Sequence, residues 1–246
     1  MVPSGGTERG GLVWVLTKCK DDTILVLMKH YIAAGSALGR DHALLERPNQ
    51  DAFALESGEW GAAAVVCDGC GSEPHSGVGA RLGAVLTARL AAAQVSAGGR
   101  LDLERLRADI LARLSLVSSE TGISVREHLL FTVVGAVSSA SGAELFACGD
   151  GVVAVDGAVR RLGPFAGNQP PYLAYALEGS AVGFESLYAG PASSLLVGTD
   201  GAADLELAPL QADERVWRNP DALRRLLRRQ RPADDATVAL LSRRES

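Results

Sequence analysis

The order of apolar patterns along the 246 residues predicts an α+β fold built mainly on antiparallel sheets. Short apolar runs separated by tight turns come in consecutive series, as hairpin-linked strands do. Two helical patterns follow one another early and a third comes late. The strict strand–helix alternation of a parallel sheet is missing.

The elements follow in order. Residues up to about Lys29 admit two placements. They form either two short strands, 12–17 and 23–27, joined at Lys20-Asp21-Asp22, or an extension outside the core. Residues 30–246 are expected to form one domain, because no Pro/Ser-rich or low-complexity linker divides them. Strands are expected at 31–36 and 51–55, the second leading through Ser57-Gly58 into 60–67. That third run, Ala62-Ala63-Ala64-Val65-Val66-Cys67, ends abruptly in Asp68-Gly69-Cys70-Gly71-Ser72. A buried strand therefore delivers an acid to the rim of a sheet. Val78, Leu82, Val85, Leu86, Leu90 and Ala93 then recur at helical spacing. A second helix over 101–117 carries Leu103, Leu106, Ile110, Leu114 and Val117 on one face. Residues 131–137 and 144–148 read as one hairpin, and 152–155 and 159–162 as another around Asp156-Gly157. The Pro- and Gly-rich stretch 163–191 reads as an irregular surface excursion. Residues 194–198 form a strand ending in Thr199-Asp200-Gly201. Asn219-Pro220 opens a helix through Arg229, and Asp234-Asp235 precedes a strand over 237–241.

Composition narrows the function. A net charge of −5 and an aromatic content of 5% argue against a nucleic-acid partner, which needs a basic footprint and stacking platforms. No apolar run approaches the roughly 20 residues of a membrane span. Four cysteines are too few for a disulfide framework in a chain of this size, so a reducing, cytoplasmic setting and a monomer are the expectation.

Asp51, Asp68, Asp200 and the Asp234-Asp235 pair all stand at strand edges. Gathered in one pocket, such carboxylates repel unless positive charge sits among them. Hard divalent ions such as Mg²⁺ or Mn²⁺ take ligands of this kind, and two of them together activate water and clamp a phosphoryl group. The alternative is that each acid only caps its own turn.

Five stretches, in order, carry a resemblance: Asn49-Gln50-Asp51-Ala52, Val66-Cys67-Asp68-Gly69-Cys70-Gly71-Ser72, Cys148-Gly149-Asp150-Gly151, Leu196-Val197-Gly198-Thr199-Asp200-Gly201, and Asp234-Asp235-Ala236-Thr237-Val238. Together the sequence resembles the metal-dependent protein serine/threonine phosphatases of the type 2C family. It is most similar to bacterial members in which Gly39-x-x-His42 leads towards the Gln-Asp pair. The resemblance implies a four-layer α/β/β/α sandwich with two central antiparallel sheets and a binuclear Mn²⁺/Mg²⁺ centre. It implies that Asp68 bridges both ions, that Gly69 offers its carbonyl to one, that Asp200 and Asp234 hold the other, and that Asp51 binds through water. A hydroxide bridging the ions would displace the serine or threonine alkoxide. The implied substrate is a phosphorylated protein, with a serine/threonine kinase as its counterpart. Asp150 falls in a motif that is mainly structural, and Glu127 lies where some members place an acid for a third, looser ion. Two departures stand out. Animal members carry a histidine two residues after the bridging aspartate, where this chain has Cys70. Arg47 is one residue nearer Asp51 than the family's phosphate-binding arginine, so Arg47 and His42 (or Arg40) are the candidates for that role. Both departures motivate an alternative, a catalytically weak or inactive relative that binds phosphoproteins or regulates a partner.

Other motifs read more plainly. Cys67-x-x-Cys70 has thioredoxin-like spacing, but Asp-Gly lies between the cysteines and the helix starts well beyond them. His75 and His128 read as packing or solvated residues. The run Arg224-Arg225, Arg228-Arg229, Arg231 reads either as an anionic partner's contact or as a solvated helix face opposite leucines.

Overall fold

The computed structural model describes residues 13–17, 26–219 and 221–245. In chain order the elements are β1 (Val13–Thr17), β2 (Val26–Ala37), α1 (Arg40–Leu44), β3 (Ala52–Gly58), β4 (Gly61–Cys67), α2 (Ser76–Gly98), α3 (Leu103–Thr121), α4 (Val125–His128), β5 (Val133–Ser139), β6 (Gly142–Cys148), β7 (Gly151–Val155), β8 (Ala158–Leu162), β9 (Glu185–Gly190), β10 (Ser194–Gly198), α5 (Ala208–Ala212), α6 (Glu214–Arg218), α7 (Ala222–Gln230) and β11 (Ala236–Glu245). They make two antiparallel sheets, ordered β1-β2-β11-β10-β7-β8 and β3-β4-β5-β6-β9.

Strand alternation explains the layering. On β4, Ala62, Ala64 and Val66 point to one side, where they pack with Val197, Ala239 and Leu241 of the other sheet. Ala63, Val65 and Cys67 point to the opposite side and pack under α2 and α3, with Leu106, Ile110 and Leu114. The second sheet repeats the arrangement. Leu196, Val238 and Leu240 face outward onto Leu210, Val216, Leu223 and Leu227 of α5–α7. Both faces of the central strands are therefore covered, which is why β4, β5 and β10 read as continuous apolar runs. The result is the α/β/β/α sandwich.

Several expectations need correction. The buried face of α2 is centred on small residues, and Leu82, Leu86 and Leu90 of the expected stripe pack at its margin. Gly79, Ala80, Gly83, Ala84, Ala88 and Ala91 are buried, while Val78 and Val85 are exposed. A Cβ on Gly79 would lie 2.1 Å from the carbonyl oxygen of His128, and one on Gly83 would lie 2.1 Å from the Phe131 ring. The helix approaches its neighbours so closely that only small residues fit, and close approach outweighs side-chain hydrophobicity. The excursion 163–191 contains a strand, β9, at the sheet edge; Glu185 and Ser186 are exposed, so no apolar alternation marks it. The late helix starts at Ala222 with Asp221 at its N-cap, while the Asn219 side chain accepts the Asp221 N–H at 3.0 Å. At the N-terminus β1 pairs with β2 from Val13↔His30 to Thr17↔Val26. The expected turn at Lys20-Asp21-Asp22 and residues 23–25 of the second strand lie outside the described residues. No helix among the described residues is long and apolar enough to cross a membrane.

Candidate metal centre

Four chain segments meet at one rim of the sandwich. Asp51 stands just before β3, Asp68 just after β4, Asp200 just after β10, and Asp234 just before β11. Because β3 pairs with β4 (Ala52↔Cys67) and β10 with β11 (Gly198↔Val238), each pair of acids is delivered to the same sheet end. Packing of the two sheets then brings the pairs together. Asp68 is central: the charges of Asp51, Asp200 and Asp234 all act on its carboxyl.

The Asp68 turn is clamped. Its carbonyl accepts the Thr132 N–H at 2.8 Å, and the Cys70 N–H donates to the Leu130 carbonyl at 3.0 Å. Gly69 must be glycine, since a Cβ there would lie 2.8 Å from the backbone and hydroxyl of Ser76. Gly39 and Gly201 are constrained likewise; their added Cβ atoms would lie 2.3 Å from the Asp234 carbonyl carbon and 2.1 Å from the Asp235 carbonyl oxygen. Three backbones therefore touch at the acidic rim.

Burial is graded across the cluster. Asp51 is buried, Asp68 and Asp200 are half-buried, and Asp234 is exposed, so the site opens to solvent on the Asp234 side. Desolvation, and then the Asp51 and Asp200 charges, push the Asp68 carboxyl well above the usual carboxylate range. Desolvation raises Asp51 to about 7, against the hydrogen bond from Thr199. Asp200 is raised by burial and by Asp234, and Asp150, outside the cluster but near Asp200, is raised by burial to about 6. One oxygen of Asp51 accepts the Thr199 hydroxyl at 2.7 Å, while the other, Oδ1, is buried without a hydrogen-bond partner. An orphaned buried oxygen among mutually repelling carboxyls is what a hard divalent cation satisfies. The donor set fits Mg²⁺ or Mn²⁺: it is all oxygen, with no thiolate among the acids.

Asp235 is a residue that the sequence reading left without a role. It is buried and caged, accepting the Gly39 N–H at 2.8 Å, the Gln50 N–H at 2.7 Å and His42 Nδ1–H at 2.8 Å. The period of two at a strand start was the available signal, since neighbouring acids there must face opposite ways. His42 is consequently fixed between the two acids, its Nε2 3.8 Å from Asp234. Arg47 is exposed, and its guanidinium donates to the Gly71 carbonyl at 3.4 Å, beside the Asp68 turn. Arg40 is exposed and paired with Asp41 at 3.1 Å.

Cys70 lies 3.2 Å from the Ser72 hydroxyl and next to the buried Tyr172. Cys67 and Cys148 are buried, free of disulfide bonds, and pushed up by desolvation, which leaves them inert thiols without a redox role. His75 and His128 stack on each other at 5.0 Å, in keeping with a packing role. Glu127 is exposed in the first turn of α4, capped by Ser124 at 3.3 Å, as a solvated glutamate would be.

The protein phosphatase 2C family model matches residues 38–241, which include every acid of this rim. The chain belongs to the protein phosphatase 2C family. Solved structures agree on the fold. The catalytic domain of the serine/threonine protein phosphatase PstP, in complex with two manganese ions, is 17% identical with a TM-score of 0.54, covering 88% of this chain and 99% of that one. PppA, described as a key regulatory component of T6SS in Pseudomonas aeruginosa, is 18% identical with a TM-score of 0.55, covering 87% and 98%. The serine/threonine phosphatase Stp1 from Staphylococcus aureus is 16% identical with a TM-score of 0.54, covering 86% and 94%. No curated protein matches the sequence. Within this phosphatase 2C chain, the recognition and the sandwich fold read from the motifs are thus borne out.

Proposed function

We propose that the chain hydrolyses phosphoserine and phosphothreonine in proteins, at two Mn²⁺ or Mg²⁺ ions held by Asp51, Asp68, Gly69, Asp200 and Asp234. The observation that carries this reading is the convergence of four aspartates from four separated segments, one with an orphaned oxygen, on a rim open to solvent. When bound, such ions supply Lewis acidity and lower the pKa of water to near neutrality. The chain's own residues set the geometry. Asp68, on whose carboxyl the Asp51 and Asp200 charges act, would be the central ligand, and the Thr199 hydroxyl, donating at 2.7 Å, orients Asp51. Asp235 holds the His42 ring so that Nε2 faces the Asp234 side of the mouth. Arg47, beside the Asp68 turn, presents a guanidinium fork of the kind that pairs with phosphoryl oxygens. The substrates this reading names are products of serine/threonine kinases, met in the cytoplasm.

Purified protein with Mn²⁺ is expected to hydrolyse an aryl phosphate and phosphothreonine peptides and to stop on chelation. Asp68→Asn and Asp200→Asn are expected to lower turnover by more than about a hundredfold. Turnover that survives either substitution would overturn the assignment. The competing reading, a phosphoprotein-binding relative without turnover, draws on Cys70 at the position where animal members carry a histidine. It requires no hydrolysis with any divalent ion while phosphopeptide binding persists.

A further inference from the structure

One cavity of the structure lies away from the acidic rim. A groove of about 700 Å³ runs between β2 and β3, closed by α2 and α6, with Ile32, Phe53, Leu55, Arg89 and Trp217 in its walls. β3 is the outermost strand of its sheet, and β2 is paired with β1 only as far as His30. The groove thus follows strand edges that lack a neighbour among the described residues, and such edges receive an extended chain through main-chain hydrogen bonds.

Arg218, at the end of this groove, also lines a second cavity, of about 260 Å³, between α6 and α7. Arg215, Arg218, Arg225 and Arg229 surround it, with Ala222 and Leu226 as its apolar part. Asp213 also lines it but is neutralised by Arg215 at 2.5 Å, and Arg225 is neutralised by Asp221 at 2.6 Å. Arg218 and Arg229 have no ion pair or side-chain hydrogen bond among the described residues, in a protein whose net charge is −5. Two uncompensated guanidinium forks match the charge of about −2 and the oxygen geometry of a phosphorylated side chain. Among the described residues no aromatic ring lines this cavity, which leaves a nucleotide base without a stacking platform. Trp217 packs on Tyr31 at 6.4 Å, and from Tyr31 to Gly39, at the acidic rim, the chain runs along β2 for about 25 Å.

We propose that these two cavities form one docking groove for an extended, phosphorylated segment of a partner protein. Its phosphoryl group sits between Arg218 and Arg229, and its flanking apolar residues lie along β3 against Phe53, Leu55 and Trp217. The groove uses none of the residues assigned to the metal centre, and its readout is binding, so its failure is distinguishable from failure of the hydrolytic reading.

The test uses the full chain with saturating Mg²⁺ and a fluorescein-labelled peptide of about ten residues that carries a non-hydrolysable phosphonate analogue of phosphothreonine between apolar residues. Anisotropy gives its affinity, and the ¹⁵N-labelled arginine Nε–H resonances report the site. The Arg218→Gln/Arg229→Gln variant is expected to bind more than tenfold more weakly, with aryl-phosphate turnover unchanged. Both side chains are exposed, so the substitutions leave the core intact. The blocked phosphonate amino acid alone is expected to bind at least tenfold more weakly than the peptide. The Arg218 and Arg229 Nε–H signals are expected to shift on titration. Equal affinity in the double variant, equal affinity for a peptide with glutamate in place of the phosphonate, or equal affinity of inorganic phosphate and the peptide would each overturn the proposal.

Discussion

His30 provides a test of how the interior of the sandwich responds to acid. It lies on β2, 1% exposed, with Nε2 3.1 Å from the Ser138 hydroxyl and Nδ1 without a hydrogen-bond partner. Desolvation first, and then the Arg243 charge, lower its pKa from 6.5 to about 4. The folded state therefore keeps the imidazole neutral, whereas the unfolded chain protonates it below about 6.5. The unfolded state binds the extra proton in this window, so this contribution to stability falls as the pH is lowered through 6.5 to 4 and is flat above about 7.5. The two-pKa linkage relation gives a loss of about 1.4 kcal/mol at pH 5.5 and about 2.6 kcal/mol at pH 4.5. The perturbation is His30→Leu, which removes the titrating ring and leaves Ser138 unpaired at a cost of about 1–2 kcal/mol at every pH. Urea unfolding of metal-free protein, followed by tryptophan fluorescence at pH 7, 5.5 and 4.5, gives both stabilities. The variant is expected to be the less stable at pH 7 and to gain about 2.4 kcal/mol relative to the unsubstituted protein by pH 4.5, which levels or reverses the order. The acidic rim titrates alike in both proteins and cancels in the difference. A gap that stays constant with pH would refute the argument.

Other outcomes follow from the same structure. Asp51, Asp68 and Asp200 are raised above their unfolded values, so their contribution opposes that of His30: metal-free protein loses stability as pH rises from about 4 to 7. Mn²⁺ should accordingly raise the melting temperature more at pH 7 than at pH 5, with about 2.7 kcal/mol expected at a hundredfold excess over Kd. Asp235→Ala strips acceptors from Gly39, Gln50 and His42 and should cost about 3–5 kcal/mol in urea unfolding, with weaker Mn²⁺ binding by calorimetry. Gly79→Ala and Gly98→Ala should separate in sign. The first meets the His128 carbonyl and should lose about 1–3 kcal/mol, while the second meets nothing within 4 Å and should gain up to about 1 kcal/mol from helix propensity.

The strands and the acids of the rim were legible because each acid follows or precedes an apolar run, and at Asp68-Gly69 and Asp200-Gly201 a glycine marks the turn as well. The hairpin at Asp156-Gly157 was legible for a similar reason; both residues have positive φ, 48° and 85°, which suits the turn joining twisted strands. The face of α2 was not, because helical periodicity weighs leucine above glycine, whereas contact with Phe131 and His128 selects for the absence of a side chain. β9 was hidden by its edge position, where exposed Glu185 and Ser186 leave no alternation to read. The cage around Asp235 was out of reach for another reason. Its partners lie 185 to 196 residues away in sequence, and no local pattern announces such a contact.

That span has a consequence for how the protein becomes competent. Asp235 joins the last strand to Gly39, His42 and Gln50, and β11 pairs with β2 along ten residues, from Ala236↔Ala37 to Glu245↔Met28. Within its own sheet, β2 has only β1 as a neighbour until β11 arrives. A chain emerging from the ribosome therefore can complete the five-stranded sheet with α2 and α3 while its acids remain apart. Asp200 follows β10, which pairs with β7, whereas Asp234 joins the other acids only when the C-terminal strand closes the second sheet. If these acids hold the ions as proposed, competence to bind them would come late in synthesis. A partly synthesised chain would present half of an acidic rim, and half a rim lacks the ligands to hold a pair of ions.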